Sequence, residues 1–294
     1  MKSWLALLQR EFLEHRGAFL YAPAAIVVAL IVAVVLGFFT GQFRAGGAVV
    51  EPARLPLYDA IYLGAVKVWA SYLMITLFFY FADAFSADRK NNAILFWKSM
   101  PQSDLKVLGS KLLAGATIFP LIIVGWMLVT SALGFVAALL VSIRVPEIAS
   151  PDLFAALGSW VQITFAAVAY IALNVLWYAP LFAWVGLLST VFRGWSIPLS
   201  AAVPAVLIML ESVVTYSGGE FRSSLLDFLS WRLSGFYEDG RAVEQLMSPG
   251  GIDGTQMISD MVAGINLLGL VGGLVFVAAA LFLASEYRRR RIEA

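Results

Sequence analysis

The sequence of 294 residues has no cysteine, one histidine and few charged side chains. Without cysteine there is no disulfide scaffold, and a single histidine leaves too few ligands for most zinc or iron sites. Asp, Glu, Lys and Arg make up 13% of the chain, whereas soluble proteins have about 25%. A water-soluble enzyme of this length would need more charge to cover its surface, so that class of protein is excluded.

Motifs of nucleotide binding and of proteolysis are also absent. Glycine is nowhere followed by lysine and then serine or threonine, so the chain has no P-loop for ATP. The metalloprotease motif HExxH does not occur, and His15, between Glu14 and Arg16, is expected to be solvated. We therefore expect no catalytic residue, no bound cofactor and no metal, and we do not expect the chain itself to be an enzyme.

Apolar residues are abundant: they form 61% of the chain, and the mean hydropathy is +0.86. A helix needs about 20 residues to cross a hydrocarbon core of about 30 Å. Six stretches are long and apolar enough, namely 18–39, 64–85, 112–141, 155–192, 197–216 and 261–285. Their continuous rather than alternating hydrophobicity favours helices over barrel strands. The sequence predicts an all-α, polytopic membrane protein with one transmembrane domain over residues 1–294.

The fourth stretch, 155–192, is too long for one perpendicular span. It must tilt, kink near Pro180 or extend beyond the bilayer.

The distribution of basic residues predicts the topology. If successive stretches cross the membrane in opposite directions, most of the Lys and Arg residues lie on one side of it. They are Lys2, Arg10, Arg16, Arg89, Lys90, Lys98, Lys106, Lys111, Arg193, Arg288, Arg289, Arg290 and Arg291. The other side carries Arg44, Arg54, Arg144, Arg222, Arg232 and Arg241. Because cytoplasmic loops are enriched in these residues, we expect a multi-pass protein of the cell (inner) membrane with both termini in the cytoplasm.

The segments outside the stretches have distinct characters. Residues 1–17 place Trp4, Leu5, Leu8 and Phe12 on one helical face, which is typical of a helix lying in the membrane interface or capping the first span. Residues 217–260 form an extracytoplasmic loop whose first half predicts short helices, either on the outer leaflet or dipping into a translocation path. Residues 286–294 form a basic cytoplasmic tail.

The cytoplasmic loop 86–111 is the most informative of these segments. A charged and amide cluster precedes an apolar patch, and Pro101 ends any helix formed there. Ser103 is then placed to cap a helix that leads into the third span. An exposed patch of this kind usually marks a partner surface; the alternative is that Ile94, Phe96 and Trp97 dip into the headgroup layer.

Ionisable residues within spans are costly. Lys67 and Glu211 lie at similar predicted depth near the outer ends of their spans, where they can form an intramembrane ion pair. Gly269 and Gly273 form a GxxxG pair suited to close helix packing.

The arrangement resembles the type-2 ABC exporter permeases. Two segments carry the resemblance. The N-terminal one reads LLQREFLEHRGAFL and is similar to the family's interfacial elbow helix. The segment after the second span reads DRKNNAILFWKSMPQSDLKVLGSKLLAG and is similar to the family's coupling helix and the start of its third span. The likeness in span number and termini covers nearly the whole chain.

This resemblance implies a mechanism and a set of partners. Two permeases, a second copy or a paralogue, pair in the membrane among its lipids, and two separate ABC ATPase subunits bind ATP and Mg beneath them. The residues implied to contact the ATPase are Asp88, Arg89, Lys90, Asn91, Asn92, Ile94, Phe96, Trp97 and Lys98. No nucleic acid is expected as a partner. The family exports lipids, polysaccharides, peptides and drugs.

Two other functions compete with an ATP-driven exporter. An ion-coupled secondary transporter would be expected to have a duplicated half and carboxylates near the membrane centre, and neither is evident in the sequence. A non-transporting membrane scaffold would need a different partner for its loops.

Overall fold

The computed structural model describes residues 2–41, 57–90, 104–145, 148–216, 222–235 and 252–293. Within these ranges all regular structure is helical. The α-helices are α1 Lys2–Arg16, α2 Ala22–Thr40, α3 Leu57–Lys90, α4 Asp104–Leu113, α5 Phe119–Arg144, α6 Leu153–Phe192, α7 Ser196–Val214, α8 Ser224–Leu233, α9 Gly254–Ala263 and α10 Leu267–Glu293. Single π-helical turns, Gly17–Tyr21 and Ala114–Ile118, join α1 to α2 and α4 to α5, and a 3-10 turn, Arg193–Trp195, joins α6 to α7.

Six helical stretches in the described residues are long and apolar enough to cross a membrane. They are Trp4–Thr40, Leu57–Ser86, Asp104–Arg144, Leu153–Phe192, Ser196–Val214 and Leu267–Arg290. The predicted all-α class and the number of spans are confirmed for the described residues. Six such helices are consistent with a multi-pass membrane protein. The first and third stretches are longer than predicted because the π turns continue the helical backbone from α1 into α2 and from α4 into α5.

The sixth span begins later than the predicted residue 261. Met261 belongs to α9, which ends at Ala263, and α10 begins at Leu267. The Asn266 side chain accepts a hydrogen bond from the Gly269 backbone N–H at 2.8 Å, which caps the start of α10. Hydropathy alone misses this break because apolar residues continue on both sides of it.

The centre of the bundle is α6, which packs against α3, α7, α9 and α10. Of the 18 most apolar consecutive residues of α6, 50% are buried, compared with 0% of those of α7. Two aromatic side chains of the core have their polar atoms hydrogen-bonded, as is usual for buried Trp and Tyr. The Trp69 Nε1 donates to Thr130 Oγ1 at 3.0 Å, and the hydroxyls of Tyr62 and Thr164 lie 2.7 Å apart.

The predicted excess length of the fourth span is present in α6. Its 40 residues extend about 60 Å at 1.5 Å per residue, and the α-helix continues through Pro180. The first half of α6 is partly covered by α9, where the Gly254 backbone N–H donates to Gln162 Oε1 at 2.9 Å. This helix therefore exceeds a perpendicular bilayer span and has a protein partner along its first half.

Candidate functional site

The predicted coupling segment lies between α3 and α4. Asp88, Arg89 and Lys90 are the last residues of α3. Asn91, Asn92, Ile94, Phe96, Trp97 and Lys98 lie outside the described residues, as does the predicted cap Ser103. The structure therefore describes the helices that flank the coupling segment, and these helices form the candidate site.

A buried ion pair connects α4 to α1. Lys111 Nζ lies 2.7 Å from Glu11 Oε1, and the two side chains are 0% and 3% exposed. Charges removed from water this completely are stable only when paired and hydrogen-bonded. The pair therefore connects α1 to the start of the third span.

Tyr80 of α3 completes the connection. Its hydroxyl lies 3.0 Å from Glu11 Oε2 and 3.1 Å from the backbone carbonyl oxygen of Lys111, and its single hydrogen is shared between these acceptors. Three helices, α1, α3 and α4, thus meet at one hydrogen-bonded group. We call Glu11, Tyr80 and Lys111 the charged junction.

Aromatic rings cover the charged junction on one side. The His15 ring meets the Tyr80 ring edge-on with centroids 4.7 Å apart, and Phe19 stacks on Phe119 at 3.8 Å. Phe19 lies in the first π-helical turn, and Phe119 directly follows the second. Both helices joined by the ion pair therefore change their hydrogen-bond pattern at neighbouring positions, a feature frequently found at functional sites.

A glycine in the second π turn permits close packing near the junction. A Cβ atom on Gly115 would lie 2.5 Å from Cζ of Phe81. The Phe81 ring in turn stacks on Phe182 of α6, with centroids 5.5 Å apart. Through these rings, α4 and α5 are in contact with α3 and with the central helix.

The beginning of α4 is also connected to the end of the chain. Arg288 Nε of α10 lies 3.4 Å from Asp104 Oδ1, and the arginine side chain is 2% exposed. The predicted tail 286–294 begins as part of α10, where Glu286 pairs with Arg289 at 3.0 Å and with Arg290 at 2.8 Å. Both ends of the chain therefore lie beside α4.

Glu11, Glu14 and His15 bring possible metal ligands within 4.8 Å of one another. The Glu11 carboxylate is already bonded to Lys111 and Tyr80, and Glu14 pairs with Arg10 at 2.7 Å. The His15 Nδ1 lies 3.1 Å from the backbone oxygen of Glu11. These contacts make the cluster an ion-pair network, and His15 is half-buried instead of fully solvated.

The other predicted site residues lie towards the opposite end of the molecule. The Glu211 carboxylate accepts hydrogen bonds from Ser223 Oγ at 2.6 Å and from the backbone N–H groups of Ser224 at 3.0 Å and Leu225 at 3.1 Å. It therefore caps the start of α8. A pair between Lys67 and Glu211 stays a prediction.

Gly269 and Gly273 face side chains of α8. The Trp231 ring packs against Gly269, and a Cβ atom on Gly273 would lie 2.5 Å from Arg232 Nη2 and 2.8 Å from Pro180 Cγ. Both glycines thus provide space for contacts of α10 inside the molecule, with α8 and α6.

A groove of about 470 Å³ lies between α3 and α6. Its walls are mostly apolar, and its polar side chains are Ser71, Tyr170, Asn174 and Tyr178. Asn174 donates from Nδ2 to the Tyr170 backbone oxygen at 2.9 Å. The groove therefore offers an amphipathic surface between the two central helices.

The sequence matches no protein-family model, and comparison with curated proteins and with solved structures gives no match. The function is therefore argued from the residues of this chain.

The charged junction was missed by the sequence reading. One local signal was available in the sequence. At helical spacing, Glu11 lies on the same face of α1 as Trp4, Leu8 and His15, and a carboxylate is unusual on the buried face of an amphipathic helix. Lys111 lies in the basic set that predicts the topology and in the segment that resembles the start of the family's third span. Neither pattern pairs it with Glu11, which is 100 positions away.

Proposed function

We propose that the chain is the permease subunit of an ATP-driven exporter, of the type-2 ABC class that its sequence resembles. In this proposal it forms the translocation path, pairs with a second copy or a paralogue, and has both termini in the cytoplasm of the cell that carries it. Separate ATPase subunits bind ATP and Mg and dock on the segment from Asp88 to Lys98.

The charged junction is the observation that carries this proposal. A protein that docks on the segment between α3 and α4 pushes on the ends of those two helices. Tyr80 and Lys111 connect the ends to α1, and Asp104 connects α4 to α10. Movement of the segment is then transmitted to the first, second, third and last spans as a unit, which is what coupling requires.

The π-helical turns supply a place for that movement. Gly17–Tyr21 and Ala114–Ile118 lie between the junction and the apolar lengths of α2 and α5. Single π-helical turns inside α-helices are frequently found at functional sites. In this mechanism the junction stays rigid, and the spans rotate at these turns.

The test is whether an ATPase accompanies the protein. The tagged full-length chain is purified from its own host membrane in mild detergent, and co-purifying proteins are identified by mass spectrometry. We expect a stand-alone P-loop ATPase and ATP hydrolysis in the purified sample. A sample that contains neither contradicts the proposal.

Variants then locate the docking segment. Asp88→Lys, Arg89→Glu, and Phe96→Ala combined with Trp97→Ala should each lower the ATPase recovered at least severalfold, because they remove charge or apolar contacts at the interface. Arg144→Glu, a charge reversal at the far end of α5, is the matched control. ATPase recovery and activity unchanged in all three variants would overturn the docking assignment.

A further inference from the structure

The groove between α3 and α6 lies near the middle of both helices. Residues 70–78 of α3 and 170–182 of α6 contain its lining, whereas the apolar stretches extend over Leu57–Ser86 and Leu153–Phe192. In a chain that spans a membrane, these positions are far from the headgroup layers, and water is not available to hydrogen-bond a polar side chain. Polar groups in the groove therefore need a partner from the protein or from a ligand.

Asn174 brings an unsatisfied acceptor to this groove. The residue is 6% exposed, and Nδ2 donates to the Tyr170 backbone oxygen at 2.9 Å. Because that carbonyl can only accept, the amide nitrogen faces it and Oδ1 is turned away. Oδ1 accepts no hydrogen bond from the described residues and is not fully enclosed, so it is open to the groove that Asn174 lines. An acceptor without a partner in apolar surroundings is costly.

Ser71 of α3 is a second polar group of the groove without a partner. On the same helix, Thr76 Oγ1 donates to the Tyr72 backbone oxygen at 2.7 Å, the bond that a hydroxyl in a helix usually makes. Ser71 Oγ makes no hydrogen bond within the described part of the chain. Since a hydroxyl is both a donor and an acceptor, the groove presents an acceptor from Asn174 and a donor from Ser71.

The groove is open at the surface of the bundle. Two of its lining residues on α3, Ser71 and Ile75, are exposed, Ile75 by 60%, whereas Ala70 and Phe182 are buried. A helix surface at this level of a membrane span meets hydrocarbon. A ligand therefore reaches the groove from within the membrane and has to be mostly apolar.

The lining also restricts the charge of the ligand. None of the described residues that line the groove is Asp, Glu, Lys, Arg or His, so a charged headgroup would remain uncompensated at this depth. An oxyanion can only accept and would face Oδ1 of Asn174, which is another acceptor. A hydroxyl can donate to Oδ1 and accept from Ser71 Oγ at the same time.

We propose that this groove binds an uncharged, single-chain amphiphile whose polar group is a hydroxyl. Its O–H donates to Asn174 Oδ1, its oxygen accepts from Ser71 Oγ, and its hydrocarbon lies along Met74, Phe78 and Phe182. The volume of about 470 Å³ holds about fifteen non-hydrogen atoms at roughly 30 Å³ each. That such a molecule is exported rests on the function proposed above; the binding site itself does not.

Photolabelling of the full-length protein in phosphatidylcholine vesicles measures this binding, since that lipid has no hydroxyl to compete. The probe is a linear alcohol of about twelve carbons with a diazirine in its chain. Matched probes carry a methyl, carboxylate or trimethylammonium group in place of the hydroxyl, and labelled residues are located by peptide mass spectrometry.

The alcohol should label Met74 and Phe182 about tenfold more than the methyl-ended probe does, because a buried acceptor gains its hydrogen bond. Equal labelling by the methyl-ended probe would overturn the proposal, and so would stronger labelling by either charged probe.

Variants place the hydroxyl site. Asn174→Leu should lower labelling by the alcohol to the level of the methyl-ended probe, and Ser71→Ala should lower it severalfold. Thr76→Val is the matched control on α3, outside the groove lining, and should leave labelling unchanged. A preference for the alcohol retained in Asn174→Leu overturns the assignment. If that variant does not fold, Ser71→Ala, at an exposed position, and the comparison of probes in the wild type decide.

A second copy of the chain is the alternative occupant of the groove. Because the chain has no cysteine, Ser71→Cys tests this alternative by oxidation in the membrane. A disulfide-linked dimer, together with no labelling of the wild type by the alcohol, would show that the second copy covers the groove and would overturn the proposal. Labelling without such a dimer supports it.

The outcome is separable from that of the proposed function. Selective labelling by the alcohol without a co-purifying ATPase means a ligand site in a protein that is not an ABC permease. An ATPase without selective labelling leaves the exporter and removes this ligand.

Discussion

At the scale of single residues, the charged junction is decided by burial. Over the whole residue, Glu11 is 2% and Lys111 0% exposed. Water therefore cannot solvate either charge. Removing one partner of such a pair leaves the other buried alone, whereas replacing both with apolar residues removes the desolvation cost together with the attraction. The two kinds of variant therefore have different expected outcomes.

We predict that Lys111→Met lowers the free energy of unfolding by about 3–5 kcal/mol. The double variant Glu11→Leu with Lys111→Met should recover most of that loss, because no buried charge remains. Unfolding is followed by circular dichroism in detergent micelles with increasing denaturant.

Lys106→Met is the matched control on the same helix. Lys106 lies over the Trp4 ring at 5.8 Å, a contact that contributes about 0.5–1 kcal/mol when exposed. A loss in Lys111→Met no greater than in this control would contradict the role assigned to the pair.

At the scale of helices, the loop 217–260 contains two elements with different environments. The carbonyls at the end of α8 bond to Trp177 and Tyr178, so this helix packs beside the middle of α6. Leu226, Phe228 and Leu233 of α8 are exposed and Arg232 is buried, so α8 lies on the surface of the molecule with its last turn against α6. Its position on the outer leaflet or in a translocation path stays a prediction. In contrast, α9 covers the first half of α6, and in its first turn Thr255 and Gln256 are exposed while Gly254 and Met257 are buried.

The start of α9 gives a pH-dependent prediction. Hydrogen bonds from the Thr255 side chain and from the backbone N–H groups of Gln256 and Thr255 hold the pKa of Asp253 below its ordinary value. A lowered carboxyl pKa means that the cap stabilises α9 fully above the unfolded pKa, about 3.9. This stabilisation is lost as the pH falls through the folded pKa.

Amide hydrogen exchange measures the effect. We expect Asp253→Ala to speed amide exchange in the first turn of α9 at neutral pH. Asp253→Asn keeps a capping oxygen that does not titrate, so the protection of these amides by the cap should not depend on pH. Equal exchange in the wild type and in Asp253→Ala above pH 5 would refute the cap.

At the scale of the whole molecule, both ends of the chain lie beside α4. An even number of membrane crossings puts the two ends on one side, which agrees with these contacts. The side itself follows from the Lys and Arg distribution as a prediction.

Because the chain has no cysteine, single cysteines can report the side directly. We predict that Ala6→Cys and Arg290→Cys are protected from a membrane-impermeant maleimide in intact cells and react after lysis. Ser150→Cys, an exposed position between α5 and α6, should react without lysis. The reverse pattern would invert the topology and place the segment from Asp88 to Lys98 outside the cell.

The sequence by itself determined the class of the protein, the number of its spans and the absence of a P-loop. These properties follow from local composition, because a bilayer requires apolar helices of about 20 residues and charges gather outside them. The tertiary structure decided which polar groups meet. Glu11 and Lys111 are separated by 100 positions, and Arg232 reaches Trp177 across 55. No periodicity predicts such pairs, since they depend on which helices become neighbours.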